Sequence, residues 1–239
     1  QRLCCSVCAL ARVRKLQNHC LHSEIMETIQ FKSVLPDVFS KCPDIHSEVW
    51  RQELIFSKNT LTLVEAASGK GKSTFCSYIL GYRHDYSGQI FFDGSDIRQF
   101  NTRDWTMVRT SQVSMLFQEL RLFPELTALE NVLIKNRLTD YKSKEEILRW
   151  FDRLGIADKC NVRVGQMSFG QQQRVALMRA LAQPFDFIVA DEPISHLDDD
   201  NSAVMAQLMM EEAHRQGAGV IVTSIGKHMQ LEYDRVLRL

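Results

Sequence analysis

Residues 64–74 read Val-Glu-Ala-Ala-Ser-Gly-Lys-Gly-Lys-Ser-Thr. Gly71-Lys72-Ser73-Thr74 matches the end of the pattern Gly-x-x-x-x-Gly-Lys-Ser/Thr, in which a glycine-rich turn wraps a phosphate. Backbone N–H groups over 69–74 and the positive end of a following helix dipole would face the anion. Ala67, Ser68, Gly69 and Lys70 would line the turn, with Gly71 and Thr74 completing it. Lys72 would reach the outer phosphates, and Ser73 would offer its hydroxyl to Mg²⁺. Far downstream, Phe185-Asp186-Phe187-Ile188-Val189-Ala190 leads to Asp191-Glu192-Pro193. An apolar strand ending on two carboxylates supplies one group for a metal shell, Asp191, and one to orient or deprotonate water, Glu192. Each motif alone also reads as plain structure, a glycine turn before a helix or a solvated acidic turn after a strand. Together they point to nucleotide chemistry.

Several elements must position these groups. LTLVEA (61–66) is a buried strand leading into the turn, and Ser73–Leu80 can form a helix ended near Gly81. Residues 28–34 alternate as a half-buried strand does, and 47–56 do so more loosely. QIFFDG (89–94) reads as strand and turn, and VSMLFQ (113–118) as a strand. Thr127-Ala-Leu-Glu130 and Ser143-Lys-Glu-Glu146 match capping boxes. The second opens a segment with Ile147, Trp150, Phe151 and Leu154 on one face, stopped by Gly155, so residues 125–165 read as a helical insertion. A helix at 171–182, a strand at 185–191, a helix at 197–216 and strands at 218–224 and 235–239 follow. This alternation predicts a largely parallel sheet covered on both faces.

The chain has 239 residues, enough for one sizeable α/β core, with a formal net charge of zero. Neutrality argues against a protein that binds nucleic acid mainly by neutralising phosphates. No apolar run approaches the roughly 20 residues a membrane span needs. Of seven cysteines, Cys4, Cys5, Cys8 and Cys20 crowd the N-terminal end, while Cys42, Cys76 and Cys160 are scattered as in a reducing compartment. Cys5-x-x-Cys8 followed by His19-Cys20-x-His22 faintly suggests zinc, but only one Cys-x-x-Cys pair is present. Met26 opens what reads as the start of a domain. Residues 1–25 are expected to be an extension, or upstream sequence translated by mistake, and 26–239 the folded domain.

Met167-Ser168-Phe169-Gly170-Gln171, followed by a helical stretch, resembles the Leu-Ser-Gly-Gly-Gln signature of the ATP-binding-cassette (ABC) ATPases. Ser168 at a helix N-terminus suits an anion, and in that family the anion is the γ-phosphate of ATP held by a second subunit. Gln118 resembles the Q-loop glutamine, which also serves the metal, and Ser195-His196-Leu197-Asp198 resembles the D-loop, with Ser195 and Asp198 as its polar members. Phe39 is placed where an aromatic stacks on adenine, or packs as core. The resemblance covers nearly all of 28–239. FQELRLFPELTALENV (117–132) is most similar to the lipoprotein-release, cell-division and macrolide-export type. It implies an α/β fold: a P-loop NTPase core with a mainly parallel sheet, an antiparallel β lobe and a helical signature subdomain over about 119–167. It further implies ATP and Mg²⁺ as ligands, a second ATPase subunit in a homodimer, a permease partner, no nucleic acid, and a cytoplasmic place on the inner face of the cell membrane. Leu122, Phe123 and Pro124 either border the groove for a permease helix or pack the helical lobe.

Some positions depart from the family pattern. Ala66 replaces the first glycine of the phosphate loop, which is tolerable at negative φ. Lys70 stands where a small residue is usual, Phe169 replaces a signature glycine, and His196 replaces a D-loop alanine. The slot of the switch histidine holds Ser224 or Ile225, and serine is shorter and never cationic. His228 or His196 would substitute only by folding back or across a dimer. The expected function is an ATP-hydrolysing transporter subunit, and the missing switch histidine points to slow turnover. The alternatives are a slow or non-hydrolysing ATP-gated clamp, or a soluble ABC ATPase without a permease. Against the last, the short span from Lys72 to Ser168 leaves no room for the coiled coil of DNA-repair members.

Overall fold

The computed structural model describes residues 25–41, 45–67, 69–194, 197–226 and 228–239. The N-terminal cysteine group, Cys42, Ser68, Ser195 and His196 lie outside the described residues.

Five parallel strands run in the order β6-β7-β8-β3-β9: β3 is Leu61–Glu65, β6 Val113–Leu116, β7 Phe187–Asp191, β8 Gly219–Ser224 and β9 Arg235–Arg238. Strand β7, an interior strand, is buried along its whole length, as an apolar run in a sheet covered on both faces should be. A second, antiparallel sheet has the order β2-β1-β4-β5, from β1 Thr28–Pro36, β2 Glu53–Ser57, β4 Tyr86–Phe92 and β5 Ser95–Asp96. The molecule is therefore an α/β protein with a parallel core sheet, an antiparallel lobe and helices.

Helix α1 is Lys72–Ile79, α2 Thr102–Met107, α3 Ala128–Asn136, α4 Lys144–Arg153, α5 Phe169–Leu181 and α6 Asp199–Gln216. Helices α3 and α4 open with the capping boxes Thr127/Glu130 and Ser143/Glu146. The apolar face expected on α4 is there: Ile147, Trp150 and Phe151 are buried. Two apolar cores flank the parallel sheet. One gathers α3–α6 and includes Phe151, Leu177 and Met209. The other joins the antiparallel sheet to α1 and includes Phe31, Phe56, Phe75 and Ile79.

Two local expectations are corrected. The strand over 47–56 is only Glu53–Ser57. Ser47 Oγ accepts the N–H groups of Val49 (3.0 Å) and Trp50 (2.9 Å), which folds 47–52 into turns and buries Trp50. Helix α2 is additional, capped by Asn101 and Asp104 and followed by a π-helical turn over Val108–Gln112.

Candidate active site

Strand register brings the chemical groups to one edge. Glu65 pairs with Ser224, Asp191 with Thr223 and Leu116 with Ala190. The segments after β3, β6, β7 and β8 thus leave from the carboxyl edge of the sheet, where open α/β folds bind ligands.

The loop after β3 starts at Ala66, whose N–H donates to the Ser224 carbonyl at 3.1 Å. Ala66 does not take a left-handed φ, so its methyl meets no backbone penalty. Gly71 does, at φ 100°, where it caps α1. A Cβ there would stand 3.1 Å from Trp50 Cζ2 and 3.2 Å from Phe39 Cε2. Glycine is thus demanded by both dihedral and space. Phe39 is half-buried against Gly71, and the Trp50 indole N–H donates to the Lys70 carbonyl at 3.3 Å. Ala67, Gly69 and Lys70 are exposed; Thr74 Oγ1 accepts from Arg83 at 3.1 Å.

Lys72 is buried, with 5% of its surface exposed. Its ammonium donates to the carbonyls of Ala66 (3.1 Å) and Ala67 (3.4 Å) and lies 3.6 Å from Glu192 Oε1. Ser73 Oγ donates to Asp191 Oδ2 at 3.0 Å, and Thr223 Oγ1 donates to Asp191 Oδ1. Glu192 adopts φ 49°, a left-handed conformation costing of order 1 kcal/mol or more for a non-glycine residue, and its N–H donates to the Thr223 carbonyl. In that pose its carboxylate also accepts from Gln118 Nε2 at 3.2 Å. Beneath the loop, burial and the nearby Asp191 charge push the Cys76 thiol well up, so it stays an inert thiol.

Asp191 and Ser73 place a carboxylate and a hydroxyl side by side, an all-oxygen donor set that fits a hard divalent cation. Among the described residues there is no cluster of three or more His, Cys, Asp or Glu suited to a metal cage. A cation here would therefore take its remaining oxygens from phosphates and water, as Mg²⁺ does.

Ser168 caps α5, which begins at Phe169 rather than at Gln171. Its Oγ accepts the Gln171 N–H at 3.3 Å, and its own N–H donates to Gln171 Oε1 at 3.0 Å. Ser168 and Phe169 are exposed, and the Gly170 carbonyl accepts from Arg174 Nε at 3.1 Å. Asp198 caps α6 through the Asn201 N–H at 2.8 Å, and these hydrogen bonds hold its carboxyl below the usual range.

The profile of the ABC transporter family matches residues 53–195. The chain belongs to that family, as an ATP-binding cassette. It is 30% identical over 180 residues to the lipoprotein-releasing system ATP-binding protein LolD of Coxiella burnetii, covering 74% of this chain and 77% of that one. It is 31% identical over 192 residues to the macrolide export ATP-binding/permease protein MacB of a Shewanella species, covering 78% of this chain and 29% of MacB. Among solved structures, the dimeric bacterial ABC transporter cassette MJ0796 superposes with a TM-score of 0.70 at 28% identity, over 82% of this chain and 87% of that one. The same cassette in a post-hydrolysis state, bound to ADP and Pi, gives 0.69 at 26% identity over the same shares.

In this cassette the departures from the family pattern have definite places. Ser224 is the buried last residue of β8. His228 Nδ1 lies 3.7 Å from Glu65 Oε1, with its ring edge-on to Tyr233, so its contacts are with the end of β3 rather than with Glu192. The segment 122–124 divides its roles. Leu122 packs on the helical core, Pro124 abuts Gly165, and Phe123 is exposed at a cavity between helical lobe and sheet. Two supporting residues escape the sequence reading. Thr223, which holds Asp191 and Glu192, carries a weak signal as the residue before the switch slot. Trp50 carries none, because it reaches the loop from a turn.

Proposed function

We propose that the cassette is the ATP-hydrolysing subunit of an ABC transporter or a related mechanotransmitting complex. Two copies close face to face over two ATP·Mg²⁺, and closure pulls on a membrane permease at the cytoplasmic face. The observation carrying this reading is the connected set Ser73–Asp191 and Lys72–Glu192–Gln118 on one sheet edge. Ser168 stands apart on an exposed helix N-terminus, suited to a nucleotide held by another copy. The dimeric state of MJ0796 agrees with this. Among the described residues no helix is long and apolar enough to cross a membrane, so the reading gives membrane contact to a permease.

Lys72 exchanges loop carbonyls for the β- and γ-phosphates, and N–H groups over 69–74 cradle them. Asp191 and Ser73 would hold Mg²⁺, with Gln118 beside them. When bound, the cation neutralises charge on the phosphates. Phe39 borders the adenine. Glu192, oriented by Gln118, accepts a proton from water as its oxygen attacks the γ-phosphorus and the bond to the β-phosphate oxygen breaks, leaving ADP and phosphate. Ser168, Gly170 and Gln171 of one copy cap the ATP of the other, with Phe169 reshaping that contact. Ser195 and Asp198 belong to the D-loop side. Ser224 stands where the family has its switch histidine, which favours a second reading, a slow or non-hydrolysing ATP-gated clamp.

Single-turnover phosphate release separates the two. The account expects release from the parent, roughly 100-fold or more slower release from E192Q, and faster release from S224H. A parent no faster than E192Q would establish the clamp.

A further inference from the structure

Trp50 approaches the phosphate loop from outside it, in a turn that is pinned on both sides. The Glu48 N–H donates to the Arg238 carbonyl at 2.7 Å, and the Arg51 N–H to the Val34 carbonyl at 2.8 Å. The side chain is buried and meets α1 edge-on, with ring centroids 6.4 Å from Phe75 and 6.3 Å from Tyr78. Packing on these rings fixes the aim of the indole's one polar atom. That aim is the Lys70 carbonyl, 3.3 Å away.

The Lys70 carbonyl and the Gly71 N–H belong to the same peptide group. A planar trans peptide sets its carbonyl and its N–H on opposite sides. With the carbonyl turned to Trp50, the Gly71 N–H points away from the indole. Among the described residues that N–H donates to no protein group, so it is left for a ligand. Gly71 itself does little to keep the peptide this way round, because glycine accepts either sign of φ. The neighbouring bond, from the Lys70 N–H to the Ala67 carbonyl at 3.3 Å, lies in the preceding peptide.

We infer that Trp50 is a positioning residue for nucleotide binding: by holding the Lys70 carbonyl, it presets the Gly71 N–H as a donor to a bound phosphate. A donor already aimed at the anion needs no reorganisation when the anion arrives. The inference rests on the proposed phosphate cradle over 69–74 and adds the residue that orients it. Two plainer roles compete. Trp50 could only fill space beneath the loop, or it could shape the base site together with Phe39, which also stands against Gly71.

W50F keeps an aromatic ring and removes the donor. The probes are ATP and inorganic tripolyphosphate, which has phosphates and no base. Both should bind W50F about 3- to 10-fold more weakly than the parent, by the same factor. Affinities unchanged in folded W50F, as for a space-filling role, overturn the inference. A loss confined to ATP assigns Trp50 to the base site and overturns it too. A second measurement leaves the residue unaltered and decides even if W50F fails to fold. The chain has three tryptophans, and their indole N–H resonances are assigned in ¹⁵N spectra with W105F and W150F. Hydrogen bonds in a chain polarise one another, so tripolyphosphate on the Gly71 N–H should shift the Trp50 indole resonance more than the other two. A Trp50 resonance unmoved at saturating tripolyphosphate overturns the inference. Phosphate release is followed on the same preparation. Release from the parent without the W50F pattern removes this inference alone. The W50F pattern in a parent no faster than E192Q supports the preset cradle and removes the hydrolytic function.

Discussion

The ammonium of Lys72 meets two loop carbonyls and one carboxylate, all of which phosphate oxygens can replace. Charge-assisted hydrogen bonds contribute roughly 1.5–3 kcal/mol each, so K72A should weaken ATP binding by about 10- to 100-fold in a fluorescent-nucleotide titration. An unchanged affinity would mean that Lys72 is a structural lysine. Lys72, Ser73 and Asp191 are singled out by local spacing in the sequence, and the structure brings them together at one edge of the sheet. Thr223 and Trp50 are not singled out in this way. Thr223 matters through its register opposite Asp191, and Trp50 through a turn that returns it under Gly71.

At the level of elements, the helical lobe is joined to α6 by a buried pair, Lys142 Nζ to Glu212 Oε2 at 2.8 Å. Glu146 at 3.7 Å is the only other carboxylate paired with Lys142 among the described residues. E212A would leave a buried ammonium short of its main partner, a loss of about 3 kcal/mol read from the urea midpoint at constant slope. Glu130 closes the α3 capping box. The Thr127 backbone N–H, then its hydroxyl, hold the Glu130 carboxyl below its ordinary range. A depressed carboxyl stabilises above its unfolded pKa of about 4.3 and loses that contribution as pH falls through the lower folded value. The parent should therefore be more stable than E130Q at neutral pH, with the gap closing under acid in thermal melts at stepped pH. Both capping boxes and the apolar face of α4 were legible, since they follow from spacing alone. Residues 47–52 were not. Their loose alternation imitates a strand, while the Ser47 hydroxyl nucleates a turn that buries Trp50. Helix α2 went unread because its Asn101/Asp104 cap opens only a short helix, without a long apolar stripe.

For the whole molecule, alternating strands and helices announced a parallel sheet, and the signature pointed to a cassette. Ser168 and Phe169 are exposed at the tip of α5, on the surface through which the proposed reading has two copies meet. The central claim is that ATP joins two copies, with Ser168 of each capping the nucleotide of the other. It is tested most directly by the sedimentation velocity of E192Q with saturating ATP and Mg²⁺, beside E192Q carrying S168R. The account predicts an ATP-dependent dimer for E192Q that S168R abolishes without loss of nucleotide binding to the monomer. A monomer at saturating ATP, or a dimer indifferent to S168R, would contradict it.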